Sequence, residues 1–519
     1  MKLALSTTIA DIDSFSAKNL GIPVVDLMKK SGEAVADTVR KRVPLGTSVV
    51  ILAGKGNNGG DGYAAAVELL KEYSVTVYDV FSKGQKTSAG KHFLELYKSL
   101  GGAVVNYQAT EQINSHIKNA GCIVDAIFGT GFTGDMPQDL LPLAITVREA
   151  VGAHKIAIDV PLGINADNGC VNSFVFSVEA TVALSYIKPG ILSYPARAYV
   201  GEIVYASLGL PNDVIEQNFD FKYELVDEDF AAVNLPKREL NSSKGSFGKL
   251  LVIAGSERYH GAAHLALEAA LRGGVGYVSY LGISTLVNEL RQKFPEAIYK
   301  ESRPIELLTD DEISEICKLS SANDATLIGS GSDNTEGLLR LTKALIDTEG
   351  GALILDADAI NALSSLGADT AAGILKAAKR EIILTPHPLE FARLLGIDVA
   401  TVQLNRLDTA VKFAKRNKLC LVLKGAGTVV TDGSNVIINS SGSSSLAKAG
   451  SGDVLAGFLS AMIAQKSNPV LISSALSVYI HASAADALAS EYSDYGVTPS
   501  DLPRQIARQI LLVQKHMQK

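Results

Sequence analysis

The chain has no tryptophan and only four cysteines in 519 residues, at positions 122, 170, 317 and 420. They form no CxxC pair and no metal-ligand spacing. A disulfide scaffold and a zinc ribbon are therefore excluded, and a reducing compartment is expected. No run of 18 or more apolar residues occurs, so no membrane span is expected. The opening MKLALSTTIADID is broken by Asp11 and Asp13 and is too short for a signal-peptide core. There is also no Lys/Arg block. With 48 basic against 55 acidic residues the net charge is −7, which disfavours nucleic acid or an anionic membrane as a partner. The chain reads as a cytoplasmic protein acting on small molecules.

What is present is ordinary globular composition, 47% hydrophobic and 20% charged, which rules out wholesale disorder. A length of 519 residues predicts two or three domains. Two series of short β-branched runs alternate with helix-like stretches, the pattern of parallel sheets covered on both faces. The first series comprises 48–52, 75–80, 103–107, 122–127, 155–158 and 180–184, with helical stretches at 61–72 and 140–151. The second comprises 249–254, 276–281, 325–328, 352–355, 381–384 and 419–423, and ends in Ala-rich helical patterns at 453–464 and 469–490. Between the series lie Pro211, an Asn/Asp-rich patch, Pro236 and Asn241-Ser242-Ser243-Lys244-Gly245. This places a linker near residue 220, with domains 1–220 and 221–519.

After the first strand comes Gly54-Lys55-Gly56-Asn57-Asn58-Gly59-Gly60-Asp61, which contains G-x-G-x-x-G, with Asp79 twenty positions on. Glycines allow close backbone approach to a phosphate, and a helix N-terminus offers free N–H groups. A bare strand-to-helix turn is the bland alternative, but Asn57, Asn58 and Asp61 have no core role. Two more strand ends carry an Asp and a glycine-rich turn: Asp125 to Asp135, and Asp159 to Gly169. A strand-end Asp can merely cap a turn. Three such ends in one sheet are better explained as one cleft, where open α/β sheets hold ligands.

In the second series Gly450-Ser451-Gly452-Asp453 opens a long helix, an arrangement suited to stabilising a transferring phosphoryl group. Lys424-Gly425-Ala426-Gly427-Thr428 follows a strand and could cradle a donor's phosphates. No GxxxxGK[ST] pattern occurs, so this is not a P-loop protein. His387, between two prolines at a strand end, is either a substrate contact or a cap. Asp356 and Asp358 are either structural or lie near a metal–phosphate site. His260 and His264 have metal-like i, i+4 spacing without the Glu of HExxH, so zinc is disfavoured there.

GKGNNGGDG, DAIFGTGFTG and IDVPLGINADNG resemble the NAD(P)H-hydrate epimerase domain, a Rossmann-like doubly wound sheet. The stretch ADIDSFSAKNLGIPVVDLMKKSGEAVAD resembles its N-terminal helices. The resemblance implies that the hydrated nucleotide contacts Asn57, Asn58, Gly59, Gly60 and Asp61. It implies further contacts with Gly129, Thr130, Gly131, Phe132, Thr133, Gly134, Asp135 and Asp159. Asp159 is then the acid/base. The resemblance also implies K⁺ at Asn58, Asp125 and position 162. The family usually reads Pro-Ser-Gly there, whereas this chain has Pro161-Leu162-Gly163 and offers no hydroxyl.

From about residue 241 onward, KGSFGKLLVIAGS, LDADAIN, LTPHPLEFARLL, VLKGAGTVV and AKAGSGDVLAGFLSAMIA resemble the ADP-dependent NAD(P)H-hydrate dehydratase domain. That domain has a ribokinase-like α/β fold. The resemblance implies substrate contacts at Ala262, Gly331, His387 and Asp453, with Asp453 catalytic. It implies ADP contacts at Lys424, Gly425, Ala426, Gly427, Thr428 and Gly452, Mg²⁺ with the nucleotide, and AMP as product. Two departures are the sequence 329–333, GSGSD where the family has GPGLG, and Leu389 in place of Gly after His387-Pro388. The expected substrates are NADHX and NADPHX, and a homo-oligomer is expected. Three rivals stay open: a Rossmann dehydrogenase in the first half, a small-molecule kinase in the second, and a non-catalytic nucleotide sensor.

Overall fold

The structure, a computed structural model, describes residues 1–81, 84–132, 134 and 136–517. The chain divides into two compact units, Lys2–Tyr223 and Glu224–Lys519. Met1 groups with the second.

The strands of the first unit are β1 (Ser48–Ala53), β2 (Ser74–Asp79), β3 (Ala103–Asn106), β4 (Cys122–Ala126), β5 (His154–Ile158), β6 (Ala180–Leu184) and β7 (Glu202–Ala206). All pair in parallel, in the order β3-β2-β1-β4-β5-β6-β7. β1 and β4 are nearly continuous apolar runs because helices cover both faces. Helices α1 (Ser6–Asn19), α2 (Val24–Arg42) and α3 (Asn57–Leu69) complete the site-bearing part. A Cβ at Gly32 of α2 would lie 2.6 Å from the Ala64 carbonyl carbon of α3, so only glycine lets these helices approach. The chain runs outward in opposite directions from β1 and from β4. The loops after these two strands therefore flank the crevice where such sheets bind ligands.

The second unit contains β8 (Lys249–Ile253), β9 (Tyr277–Ile283), β10 (Ile298–Ser302), β11 (Ala325–Ile328), β12 (Ala352–Leu355), β13 (Ile382–Leu384), β14 (Cys420–Leu423), β15 (Thr428–Thr431) and β16 (Val436–Asn439). They follow the order β16-β15-β14-β13-β12-β11-β8-β9-β10. β14, β15 and β16 form an antiparallel meander, and the remaining neighbours are parallel. Helices α4 (His260–Arg272), α5 (Pro388–Leu395), α6 (Arg406–Asn417), α7 (Ser451–Ala464) and α8 (Val470–Gly496) surround the sheet. α7 is buried around its whole circumference, and Gly457 lets α4 approach: a Cβ there would sit 2.1 Å from the Ala266 oxygen. Among the described residues, α8 is the one helix long and apolar enough to cross a membrane by length and composition. Its Leu476, Ile480, Ala484 and Leu488 are instead packed in the core of this unit.

Candidate functional site

In the first unit, residues 57–61 form the first turn of α3. Its N-cap, Gly56, provides no side-chain cap. The leading N–H groups of α3 are thus left for another acceptor. Two of the motif's glycines serve packing. A Cβ at Gly54 would lie 1.9 Å from the Ile127 oxygen, and one at Gly59 2.0 Å from the Gly54 oxygen. A Cβ at Gly56 would meet nothing within 4 Å, so this glycine faces open space. The loops after β1 and β4 are joined by the Gly54 N–H donating to the Ala126 oxygen at 2.9 Å.

A cavity of about 420 Å³ opens at this junction. Asn57, Asn58, Asp61, Gly129, Thr130, Gly131 and Asp159 line it, together with Asp13, Lys55 and Lys188. Gly59 and Gly60 are buried and are not among its lining residues. Phe132 is buried and stacks on Phe128 at 5.3 Å, and with Gly134 it lines a different pocket of about 350 Å³. Thr133 and Asp135 fall outside the described residues. Asp79 is not among the cavity's lining residues; it is buried and paired with Lys86 at 2.8 Å. The acid that ends the dinucleotide fingerprint is thus engaged away from this cavity.

Asp159 sits directly after β5 with φ of +68°, a conformation that costs a non-glycine residue energy and recurs at functional sites. It accepts from the Leu184 N–H at 3.3 Å, and its Oδ1 is ion-paired with Lys188 Nζ. Lys188 is 1% exposed and also donates to the Leu184 oxygen at 2.8 Å. A Cβ on Gly129 would lie 3.1 Å from Asp159 Oδ2 and 3.3 Å from Asn58 Oδ1, so these three residues meet. Burial holds Asp61 well above the usual carboxylate range, and the neighbouring Asp159 and Asp13 add to this. Lys188 is not among the residues that the sequence singles out. Its signal is the one used for the other loops: it follows the carboxyl end of β6 and precedes Pro189-Gly190.

Asp125 is 1% exposed, and burial pushes it up to about 7. Its oxygens accept from the Ile127 N–H at 3.1 Å and the Leu162 N–H at 2.7 Å. The buried Asn58 amide nitrogen has no hydrogen-bond partner among the described residues. Position 162, where the sequence offers no hydroxyl, shows how this loop is built. The Leu162 side chain is buried in an apolar cluster with Val50, Leu52 and Phe176. Its N–H serves Asp125, and its oxygen accepts from the Phe176 N–H at 2.9 Å. Leu162 therefore orients the carboxylate and has no side-chain donor for a cation.

In the second unit Gly450, with φ of +103° and no side-chain cap, precedes α7, whose first turn holds Gly452 and Asp453. A Cβ on Gly452 would lie 3.3 Å from Lys424 Nζ, so the ammonium stands over this helix N-terminus. Lys424 pairs with Asp356 at 3.0 Å, and Asp356 also accepts from Ser330 at 2.8 Å and Thr385 at 2.7 Å. Burial pushes Asp453 up to about 7; Asp356 adds to the rise and Lys424 opposes it. The neighbouring Asp358 and Glu390 add further negative field at Asp453.

The loop 424–428 is fastened from beneath by Arg406, a residue to which no sequence motif points. Arg406 is 1% exposed and donates to the Leu423 and Lys424 oxygens, each at 2.7 Å. A Cβ on Gly425 (φ +134°) would lie 3.0 Å from that guanidinium. Thr428 donates back to the Gly425 oxygen at 2.8 Å, while Gly425 and Ala426 are exposed and Gly427 is half-buried. Ala262 and Gly331 touch: a Cβ on Gly331 would lie 2.5 Å from the Ala262 Cβ. Gly331 (φ +60°) lines an open cavity of about 680 Å³ with Arg258, Asp333 and Asp358. His387 is the N-cap of α5, its Nδ1 accepting from the Leu389 and Glu390 N–H groups at 3.2 Å. Burial, then the Lys424 and Arg393 charges, hold it below the usual histidine range. His260 and His264 both turn to Glu289, at 2.8 and 2.9 Å, and among the described residues no His/Cys/Asp/Glu group is arranged to hold a metal.

Residues 250–508 match the family described as NAD(P)H-hydrate dehydratase, and residues 24–190 match the YjeF-related protein N-terminus. The chain is 30% identical over 515 residues to a bifunctional NAD(P)H-hydrate repair enzyme of Moorella thermoacetica, covering 97% of this chain and 95% of that one. Identity to the Escherichia coli enzyme of the same name is 31%, covering 94% and 90%. A ribokinase-like superfamily protein of Enterococcus faecalis aligns with a TM-score of 0.50 and 23% identity, over 57% of this chain and 98% of that one. This likeness supports the fold alone.

Proposed function

The chain belongs to the bifunctional NAD(P)H-hydrate repair enzymes, and we propose that its two units divide the work at the cavities described above. As an epimerase plus dehydratase, the protein repairs nicotinamide nucleotides hydrated at C6. The first unit interconverts the R and S forms, with Asp159 moving a proton at the C6 hydroxyl. Lys188 pairs with that carboxylate and fixes its position. Asn57, Asn58, Asp61 and Gly129–Gly131 surround the hydrated ring.

The second unit dehydrates the S form using ADP. The C6 hydroxyl attacks the donor's terminal phosphoryl, and Asp453 accepts the hydroxyl proton. Lys424 and the free N–H groups of α7 oppose the charge that develops. The new phosphate ester then leaves C6 with the C–O electron pair, a proton leaves C5, and the C5–C6 double bond of NAD(P)H is restored. AMP and phosphate are the other products. The observation that carries this reading is Asp453 in the uncapped first turn of α7, with Lys424 beside it.

Asn58 and Asp125 suit a hard monovalent cation. Asp125 offers a buried carboxylate, and a half-turn of the Asn58 amide would put its oxygen where the partnerless nitrogen lies. K⁺ held there would offset the negative charge gathered around the cavity. The second unit has no carboxylate cage for Mg²⁺ among the described residues, because Asp356 is already occupied by Lys424, Ser330 and Thr385. Mg²⁺ would enter with the nucleotide's phosphates. Four free cysteines suit the cytoplasm. A timed assay on mixed R and S hydrate with ADP tests the proposal. Complete conversion with one AMP per NAD(P)H is expected. A halt at the initial S fraction refutes the epimerase, and a stable phosphorylated product refutes the dehydratase.

A further inference from the structure

Epimerisation at C6 of the hydrate sets a geometric demand. The N1 lone pair can expel the C6 hydroxyl, but hydroxide is a poor leaving group and needs a proton. The planar N1=C6 iminium must then take water on its opposite face, and that water must lose a proton. One carboxylate cannot serve both faces at once. Two carboxylates, one protonated and one ionised, meet this demand, as in other displacements with inversion.

The cavity of the first unit is lined by three carboxylates, Asp13, Asp61 and Asp159. Asp159 is held by Lys188 and by the Leu184 N–H. Asp61 is buried in the first turn of α3. Asp13 differs from both. It is half-buried, it comes from α1 rather than from a strand end, and among the described residues no hydrogen bond or ion pair engages it. It also lies outside residues 24–190, which match the family. An unpartnered carboxyl that lines the cavity from a separate element is free to turn toward a ligand.

On the reading given above for this cavity, we infer that Asp13 is the second catalytic acid/base of the epimerase. In one direction protonated Asp13 gives its proton to the C6 hydroxyl, the C6–O bond breaks, and water departs as the N1=C6 bond forms. Water then adds from the other face, its oxygen bonds C6, and Asp159 takes its proton. Asp13 is left ionised and Asp159 protonated, and a proton passing back through water restores the start. The reverse direction exchanges the two roles. Burial pushes Asp13 up to about 6, with Lys188 opposing and Asp159 adding to the rise. It can therefore hold or release a proton near neutrality. The other charged groups lining the cavity are Lys55, Lys188, Asp61 and Asp159.

The test uses the full chain with purified R-NADPH hydrate, followed by proton NMR for S hydrate and separately by ADP-dependent NADPH formation from S hydrate. Asp13→Asn is expected to slow R-to-S conversion by about 10²-fold or more while dehydration of S hydrate is unchanged. Asp13→Glu is expected to recover at least a tenth of the parental rate. The parental rate should change with pH near 6, and Asp13→Asn should lose that inflection. An Asn variant within threefold of the parent, with the inflection kept, overturns the inference. So does a slow Asn variant that Glu does not rescue and whose pH profile is unaltered, because that marks a structural role. If the parent itself does not interconvert R and S hydrate, the reading of the cavity fails instead.

Discussion

Asp453→Asn separates function from stability in the second unit. The parental carboxyl rises from 3.8 to about 7 on folding, chiefly through burial, with Asp356 adding to it. A folded-state pKa above the unfolded one means that the folded protein holds the proton more tightly. Ionising Asp453 therefore costs stability. The cost is absent below about pH 4, grows between pH 4 and 7, and is complete above pH 7. At ~1.4 kcal/mol per tenfold change in proton affinity, the full cost is about 4 kcal/mol, and about 2–4 after allowing for partial solvent access. Asparagine removes it. Scanning calorimetry should show the ADP-sensitive transition of the variant raised only slightly at pH 4.5 and by several degrees at pH 8. Dehydration, read as AMP release from S hydrate, should fall about 10²-fold or more, with ADP binding unchanged or slightly tighter because a like charge is gone. In the parent about a tenth of Asp453 is ionised at pH 6, so the rate should climb roughly tenfold by pH 8. A variant no more stable than the parent at pH 8, or equally stabilised at both pH values, refutes the burial argument. Near-parental AMP release refutes the catalytic one.

Two further substitutions probe the first unit. Lys188→Met should strand a buried Asp159 carboxylate, lowering stability by about 3–5 kcal/mol in a denaturant titration and abolishing R-to-S conversion; parental epimerisation would show that the pair has no role. Leu162→Ser opens an apolar cluster, so it should lower stability by about 2–4 kcal/mol and leave the K⁺ dependence of epimerisation unaltered; a tighter K⁺ response would mean that residue 162 faces the ion.

The strand pattern is legible at most runs buried on both faces: 48–52 is realised as β1 and 325–328 as β11, with the short buried strands β15 and β16 as exceptions. β7 and β10, at the sheet edges, are not legible, because their exposed faces carry charged residues such as Glu202 and Lys300. The sequence pattern starts the helix after the glycine motif at Asp61. The structure begins α3 at Asn57, because packing against Met28 and Gly54 overrides the low helix propensity of Asn57-Asn58-Gly59-Gly60. For the sites, strand-end aspartates and glycine loops are readable because their chemistry and their turn signals coincide. Lys188 and Arg406 are not, since a lone cation carries no signature until the fold shows which carboxylate or carbonyl it meets.

The self-packing of the first glycine loop bears on how this sequence could drift. Gly54 and Gly59 are fixed by backbone atoms about 2 Å from any added Cβ, whether or not a nucleotide ever binds. Asp13 and Asp61, by contrast, are held against the preference of a buried carboxylate for its neutral form. If selection on epimerisation were lifted in a descendant, its carboxylates would erode first, while Gly54 and Gly59 would persist as a relic of the turn. Among diverged copies, then, the glycine motif testifies to ancestry. The aspartates around the cavity tell a living enzyme from a pseudoenzyme.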